Sequence, residues 1–140
     1  MTTILLAEMT REAIRRLAPK AVAVLPTASI EQHGPHLPIC TDTLICESVA
    51  HRAAERAAKE VPVVVAPTLC YGNSHHHFPF PGVLSLRSGT YMAALTDVLE
   101  GLVRSGFRKL VVMNGHGGNS EANAVVALDL VNRLGHAVSI

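Results

Sequence analysis

The 140-residue chain is 49% hydrophobic and 16% charged, which supplies enough apolar material for one globular domain of ordinary size and excludes a disordered or fibrous protein. Twelve Lys and Arg against eleven Asp and Glu leave a formal charge of +1, and with no basic cluster or aromatic ladder nucleic acid is excluded as the expected partner. No apolar run approaches the length of a membrane span, and Met1–Glu8 has no basic region ahead of a sustained apolar core, so a soluble, cytoplasmic chain without a membrane partner is expected. Cys40, Cys46 and Cys70 are odd in number and lack C-x-x-C spacing, which argues for reduced thiols, with Cys46 facing a core.

In chain order, a first helix is predicted from Thr10 to Ala18, capped by Thr10 and stopped by Pro19. Ala21–Leu25 follows as a strand. Beyond Asp42 a helix runs to Lys59, with Ile45, Val49, Ala53 and Ala57 on its apolar face. Val61–Ala66 is continuous in apolar residues, as a doubly buried parallel strand should be. A third helix after Ser88 is expected to bury Leu95, Val98, Leu99, Leu102 and Val103. Leu110–Met113 is a third strand, and Ser120–Leu134 a fourth helix stopped by Gly135. Ala137–Ile140 reads as the start of another strand. Alternating strands and helices without a repeat or linker predict an α/β fold.

Chemistry concentrates in the loop after the first strand. Glu31, His33, His36 and Asp42 fall within twelve residues stiffened by Gly34, Pro35 and Pro38. A carboxylate two positions before an imidazole shares one face of an extended chain with it, roughly 7 Å away. Asp42 adds two oxygens able to bridge two cations, and hydrolytic two-metal sites hold their ions about 3.5–4 Å apart. The competing interpretation is a polar surface loop with Asp42 capping the next helix.

The histidines gather where a parallel sheet binds ligands. His33 and His36 follow the first predicted strand, His75, His76 and His77 the second, and His116 the third, so all six belong to loops at the carboxyl edge. His51 and His136 read as ordinary surface or packing histidines. Asn114-Gly115-His116-Gly117-Gly118-Asn119 joins a strand to a helix. Its glycines permit close backbone approach, with His116 as a metal ligand and Asn119 or Ser120 as the helix cap. Phosphate binding at the helix N-terminus is the alternative, although neither phosphate-loop fingerprint is matched. The stretch from Pro67 to Arg87 is long for a structureless connection. Of its three consecutive histidines one, His77, is expected to face the site, while Phe78 and Phe80 either wall the pocket or pin the loop.

These segments together resemble the creatininase (creatinine amidohydrolase) family, in its N-terminal portion. The resemblance rests on Leu25–Pro38, Thr41-Asp42, Tyr71–Ser74 with His77 and Phe80–Gly82, and Asn114–Asn119. It implies a three-layer α/β/α sandwich with a mostly parallel sheet, a homo-oligomer (often a hexamer), and a metal-dependent hydrolase of carbon–nitrogen bonds other than peptide bonds. Small cyclic amides or formamides are the implied substrates. Glu31 and His116 would bind one divalent ion, His33 the other, and Asp42 both; zinc or manganese is expected, with iron also compatible. Proton transfer needs a further acid, for which Glu121 and His77 are the candidates.

Creatininase itself has a glutamate two residues after the loop histidine, where this chain has Gly118, so creatinine specificity is not expected. The family's Pro-Gly-Thr becomes Pro81-Gly82-Val83, and a frequent Glu before the middle histidine is His76. Family members continue into a segment that completes the second metal position and supplies a proton-transfer histidine. Residues 1–140 are therefore expected to form a single domain incomplete at its C-terminus. The alternative function is a catalytically inactive metal- or ligand-binding domain that needs a partner.

Overall fold

The computed structural model describes residues 3–135. Strand β1 (Val22–Thr27) lies between β2 (Val63–Val65) and β3 (Lys109–Asn114), parallel to both. Register runs from Val22↔Val63 on one side and from Val22↔Lys109 to Thr27↔Asn114 on the other. Four helices flank this sheet: α1 (Arg11–Leu17), α2 (Thr41–Ala57), α3 (Ser88–Arg104) and α4 (Ser120–Leu134). The result is the expected α/β/α sandwich.

Connectivity decides which face each helix covers. The β1-to-β2 connection moves one way along the sheet and the β2-to-β3 connection returns past β1, so right-handed crossovers place α2 and α3 on opposite faces. On the α3 and α4 face, Leu95, Leu99, Leu102, Val126 and Leu130 pack on Ala23, Leu25, Val64 and Leu110. On the other, Ala50 and Ala54 of α2 meet Val63 and Val65, with Val22 and Val24 alongside.

Several element ends are set as the sequence predicts. The Thr10 side chain accepts a hydrogen bond from the Ala13 backbone N–H at 3.3 Å and caps α1. Helix α4 ends at Gly135, whose φ is +54°. Strand β2 is shorter than expected, because Val61 and Pro62 stay exposed and pairing starts at Val63. The expected strand at Ala137–Ile140 lies outside the described residues.

The apolar face of α2 is displaced from the prediction by one position. Ile45 and Val49 are 58% and 50% exposed, whereas Cys46, Ala50 and Ala54 are buried. Small residues let the helix axis approach the sheet closely. Bulkier Ile and Val on the same line would hold it off, and volume rather than hydrophobicity chose the face. Val98 of α3 likewise points outward, at 39% exposure. Cys46 is buried as expected, and its thiol approaches the Thr27 and Met113 carbonyls.

Candidate metal centre

The loop after β1 turns toward α2 and the loop after β3 toward α4, on the opposite face. Their divergence opens a crevice at the carboxyl ends of β1 and β3, the switch point at which open parallel sheets bind ligands. Glu31, His33 and Asp42 enter it from one side and His116 from the other. Glycine makes the approach possible: a Cβ at Gly115 would lie 2.5 Å from the Cys46 Cβ.

Asp42 sits in the first turn of α2, not at its cap, and its two oxygens face two different imidazoles. Oδ1 is 3.0 Å from His33 Nε2, and Oδ2 is 3.0 Å from His116 Nδ1. The other nitrogen of each ring is committed to a backbone carbonyl. His33 Nδ1 donates to the Glu31 carbonyl at 3.1 Å, and His116 Nε2 donates to the Asn73 carbonyl at 3.0 Å. Those donations fix both tautomers and leave the lone pairs of His33 Nε2 and His116 Nδ1 aimed at a carboxylate. Acceptor then faces acceptor, an arrangement that an intervening cation reconciles.

Glu31 makes the same point independently. It is 5% exposed, and its buried Oε2 has no hydrogen-bond partner although His116 Nδ1 is 3.5 Å away. A buried carboxylate oxygen without a donor is costly unless a cation neutralises it. Donor atoms of Glu31, His33 and Asp42 lie within 4.8 Å of one another, as do those of Glu31, His76 and His116. Mixed carboxylate and imidazole donors fit zinc, manganese or iron.

The His33 imidazole has its pKa raised. Burial pulls it down, but the hydrogen bond to the Glu31 carbonyl and the negative charges of Asp42 and Glu31 together outweigh that effect.

His75–His77 form a 3-10 turn, in which successive side chains diverge by about 120°. His75 turns outward to Ser85 and Asn73. His77 faces the site as expected: Gln32, whose Oε1 accepts from Gly34 N, donates Nε2 to His77 Nδ1 at 2.7 Å. The His77 proton is thereby placed on Nε2, 3.4 Å from Glu31 Oε1. The expectation of a single site-facing histidine needs correction, because His76 lies parallel to His116 with ring centroids 6.0 Å apart. Phe78 and Phe80 are more than half exposed, at 53% and 56%, and do not pin the loop to the core. Glu121 is exposed in the first turn of α4, outside both donor groups, and His36 is exposed in its loop.

Asn119 is a structural residue whose role the sequence pattern concealed. Instead of capping α4 with its side chain, it accepts from Asn73 N at 2.9 Å and donates to the Ala28 carbonyl at 3.0 Å. The three loops of the site are tied together through this one buried amide. Ser29 and Ser74 are hydrogen-bonded beside it, and the Ser74 hydroxyl reaches His116 Nε2 at 3.2 Å.

Residues 7–139 match the family model described as creatininase, creatinine amidohydrolase. The chain belongs to the creatininase family. It is 45% identical over 113 residues to a mycofactocin precursor peptide peptidase of Mycolicibacterium smegmatis, covering 76% of this chain and 44% of that protein. It is 37% identical over 111 residues to the creatinine amidohydrolase of Pseudomonas putida, covering 76% and 41%. A 3-dehydro-scyllo-inosose hydrolase of Thermotoga maritima is 34% identical over 111 residues, covering 78% and 34%. The chain thus spans less than half the length of these relatives. A crystal structure of creatininase superposes with a TM-score of 0.87 at 31% identity, over 96% of this chain and 53% of that one. Similar creatininase structures include a Zn–Zn form of a variant and a Mn form. Within the creatininase family these relatives differ in substrate, so membership fixes the hydrolase framework and leaves the substrate open. Among the described residues no helix is long and apolar enough to cross a membrane.

Proposed function

We propose that this chain carries most of a two-cation hydrolytic centre, with Glu31 and His116 holding one divalent ion, His33 the other, and Asp42 bridging them. The observation that carries this reading is the pair of imidazoles, each anchored through one nitrogen to a backbone carbonyl and aiming the other at a separate oxygen of Asp42. Zinc or manganese suits the donors, and the Zn–Zn and Mn forms of similar creatininases support that choice. An anion at the glycine loop is disfavoured, because Asp42 and Glu31 carboxylates lie 3.0 and 3.5 Å from His116.

The reaction is hydrolysis of a carbon–nitrogen bond in a small amide, a cyclic amide or a formamide. Bound divalent ions supply Lewis-acid polarisation of the carbonyl and a lowered pKa for the attacking water. The protein's own residues set the geometry. Asp42 presents one oxygen toward each imidazole, where it would serve both ions, while the Asn73 and Glu31 carbonyls hold the imidazoles in register. His77 holds its Nε2–H beside Glu31 Oε1; passing that proton toward a departing nitrogen requires the ring to take up another at Nδ1, with Gln32 turned away, so that the imidazolium is the acid and the neutral ring is what remains. Exposed Glu121 is the weaker proton-transfer candidate.

Metal titration of chelator-treated protein tests the reading. Zinc or manganese should bind and raise the thermal midpoint, and Asp42→Ala should remove both effects; binding that survives Asp42→Ala would overturn it. Turnover of a panel of small cyclic amides and formamides, with His77→Gln lowering kcat more than metal affinity, then tests the proton-transfer role.

A second reading, a metal-binding domain inactive until further surface covers it, draws on the exposure of Ile45, Val49 and Val111 at 58%, 50% and 42%. Further polypeptide or another copy in a homo-oligomer would both serve. Metal binding without turnover in this chain, and turnover once that surface is covered, would favour it.

A further inference from the structure

Gly118 and His76 occupy one space. A Cβ at Gly118 would lie 2.2 Å from the Asn73 carbonyl oxygen, 2.6 Å from His116 Nε2 and 3.2 Å from His76 Cε1. A side chain at 118 would therefore push the Asn73–His77 turn away from His116. Its absence lets that turn close down, and the His76 ring comes to lie over His116 with 7° between their planes.

The neighbouring histidines already have fixed duties. His75 is turned outward to Ser85 and Asn73, and His77 is held between Gln32 and Glu31. His76 is exposed, and its ring can rotate without breaking core packing. Its nearest demand is the unpartnered, buried Glu31 Oε2 beside His116. Donor atoms of Glu31, His76 and His116 fall within 4.8 Å of one another. Two donors on one tetrahedral zinc ion lie about 3.3 Å apart, given bonds of about 2.0–2.1 Å. The exposed His76 side chain is the one of the three free to rotate inward and shorten that separation.

We propose that His76 is a further protein ligand of the cation position built by Glu31 and His116, in the space that Gly118 leaves free. This rests on the metal-centre reading above. The two positions then differ in kind. With His76, the Glu31–His116 position has two imidazoles and carboxylate oxygens, a nitrogen-rich and nearly closed set that favours zinc over manganese. The His33–Asp42 position has fewer donors among the described residues, and a cation there would be left with room for water and substrate.

The test measures zinc and manganese affinity of the full chain by competition with a chromophoric chelator, for wild type, His76→Ala, His75→Ala and Glu31→Gln. X-ray absorption of the zinc-loaded proteins supplies the count of bound imidazoles. His76→Ala should weaken the tighter zinc site at least 10-fold, change manganese affinity less, and remove imidazole scattering, while His75→Ala matches wild type. Zinc affinity and imidazole count in His76→Ala equal to wild type, with Glu31→Gln still weakening zinc, would overturn the role of His76 and leave the metal centre standing. Zinc binding unchanged in Glu31→Gln as well would overturn both. Circular dichroism of each variant establishes that losses come from a folded chain.

Discussion

On one face of the sheet, α3 and α4 bury Tyr91, Leu95, Leu99, Leu102 and Leu130 against β1 and β3; on the other, α2 buries the small residues Cys46, Ala50 and Ala54, with Ala57 partly buried beside them. The first face is built of large side chains and carries most of the apolar burial. The second is thin, and its small residues let α2 approach closely enough for Asp42, in its first turn, to reach both His33 and His116. Stability and chemistry are thus divided between the faces. Substitutions on the α3 face should unfold the protein without changing its metal specificity, and those around α2 should change metal binding with little cost in folding.

The largest expected effect is on the thick face. Leu99→Ala, at a fully buried position, should cost about 2–5 kcal/mol in denaturant unfolding while the folded fraction binds metal as before. Loss of metal selectivity in that variant would break the division. On the thin face, saturating zinc at a hundred times its dissociation constant should stabilise wild type by about 2.7 kcal/mol, and Asp42→Ala should abolish that increment in thermal melts.

Tyr91 provides a pH signature of the thick face. Burial, only partly offset by hydrogen bonds with Thr27 and Asn123, pushes its phenol up to about 12. Its folded pKa exceeds its unfolded one, so the stability it contributes is complete below pH about 10 and is lost as pH rises toward 12. Unfolding measured from pH 9 upward should show this alkaline fall in wild type and a flatter limb in Tyr91→Phe.

Glu31→Gln should raise the stability of metal-free protein by on the order of 1 kcal/mol, since a neutral amide replaces a buried carboxylate oxygen that lacks a donor. The same variant should lose metal-induced stabilisation, as expected where function holds a strained group in place. The smallest effect is expected at the exposed apolar line of α2. Ile45→Ser should change stability by no more than about 0.5 kcal/mol, and analytical ultracentrifugation should show reduced self-association if that surface joins copies.

Much of the fold was legible because period and punctuation are local. Thr10 caps α1 and Gly135 ends α4, both visible in single residues, and the apolar runs at β1 and β3 need no partner to be recognised. The failures have one cause. Ile45 and Val49 follow a helical period as faithfully as Cys46 and Ala50, and only the distance between helix and sheet decides which line is buried. Asn119 looked like a cap because its position fits one; its bonds to Asn73 and Ala28 join residues 46 and 91 positions away.

Residue identity and spacing set the chemical inventory: Glu31, His33, Asp42 and His116 in loops that a parallel sheet must gather along its carboxyl edge, within motifs that resemble the creatininase family. How those groups face one another follows from the packing of the folded chain. The His116 tautomer is fixed by the Asn73 carbonyl from a distant loop, Glu31 Oε2 is left without a donor by burial, and His76 reaches His116 because Gly118, 42 positions later, has no side chain to keep it away. Local pattern names the donors, whereas packing between loops far apart in the chain sets their lone pairs and their reach.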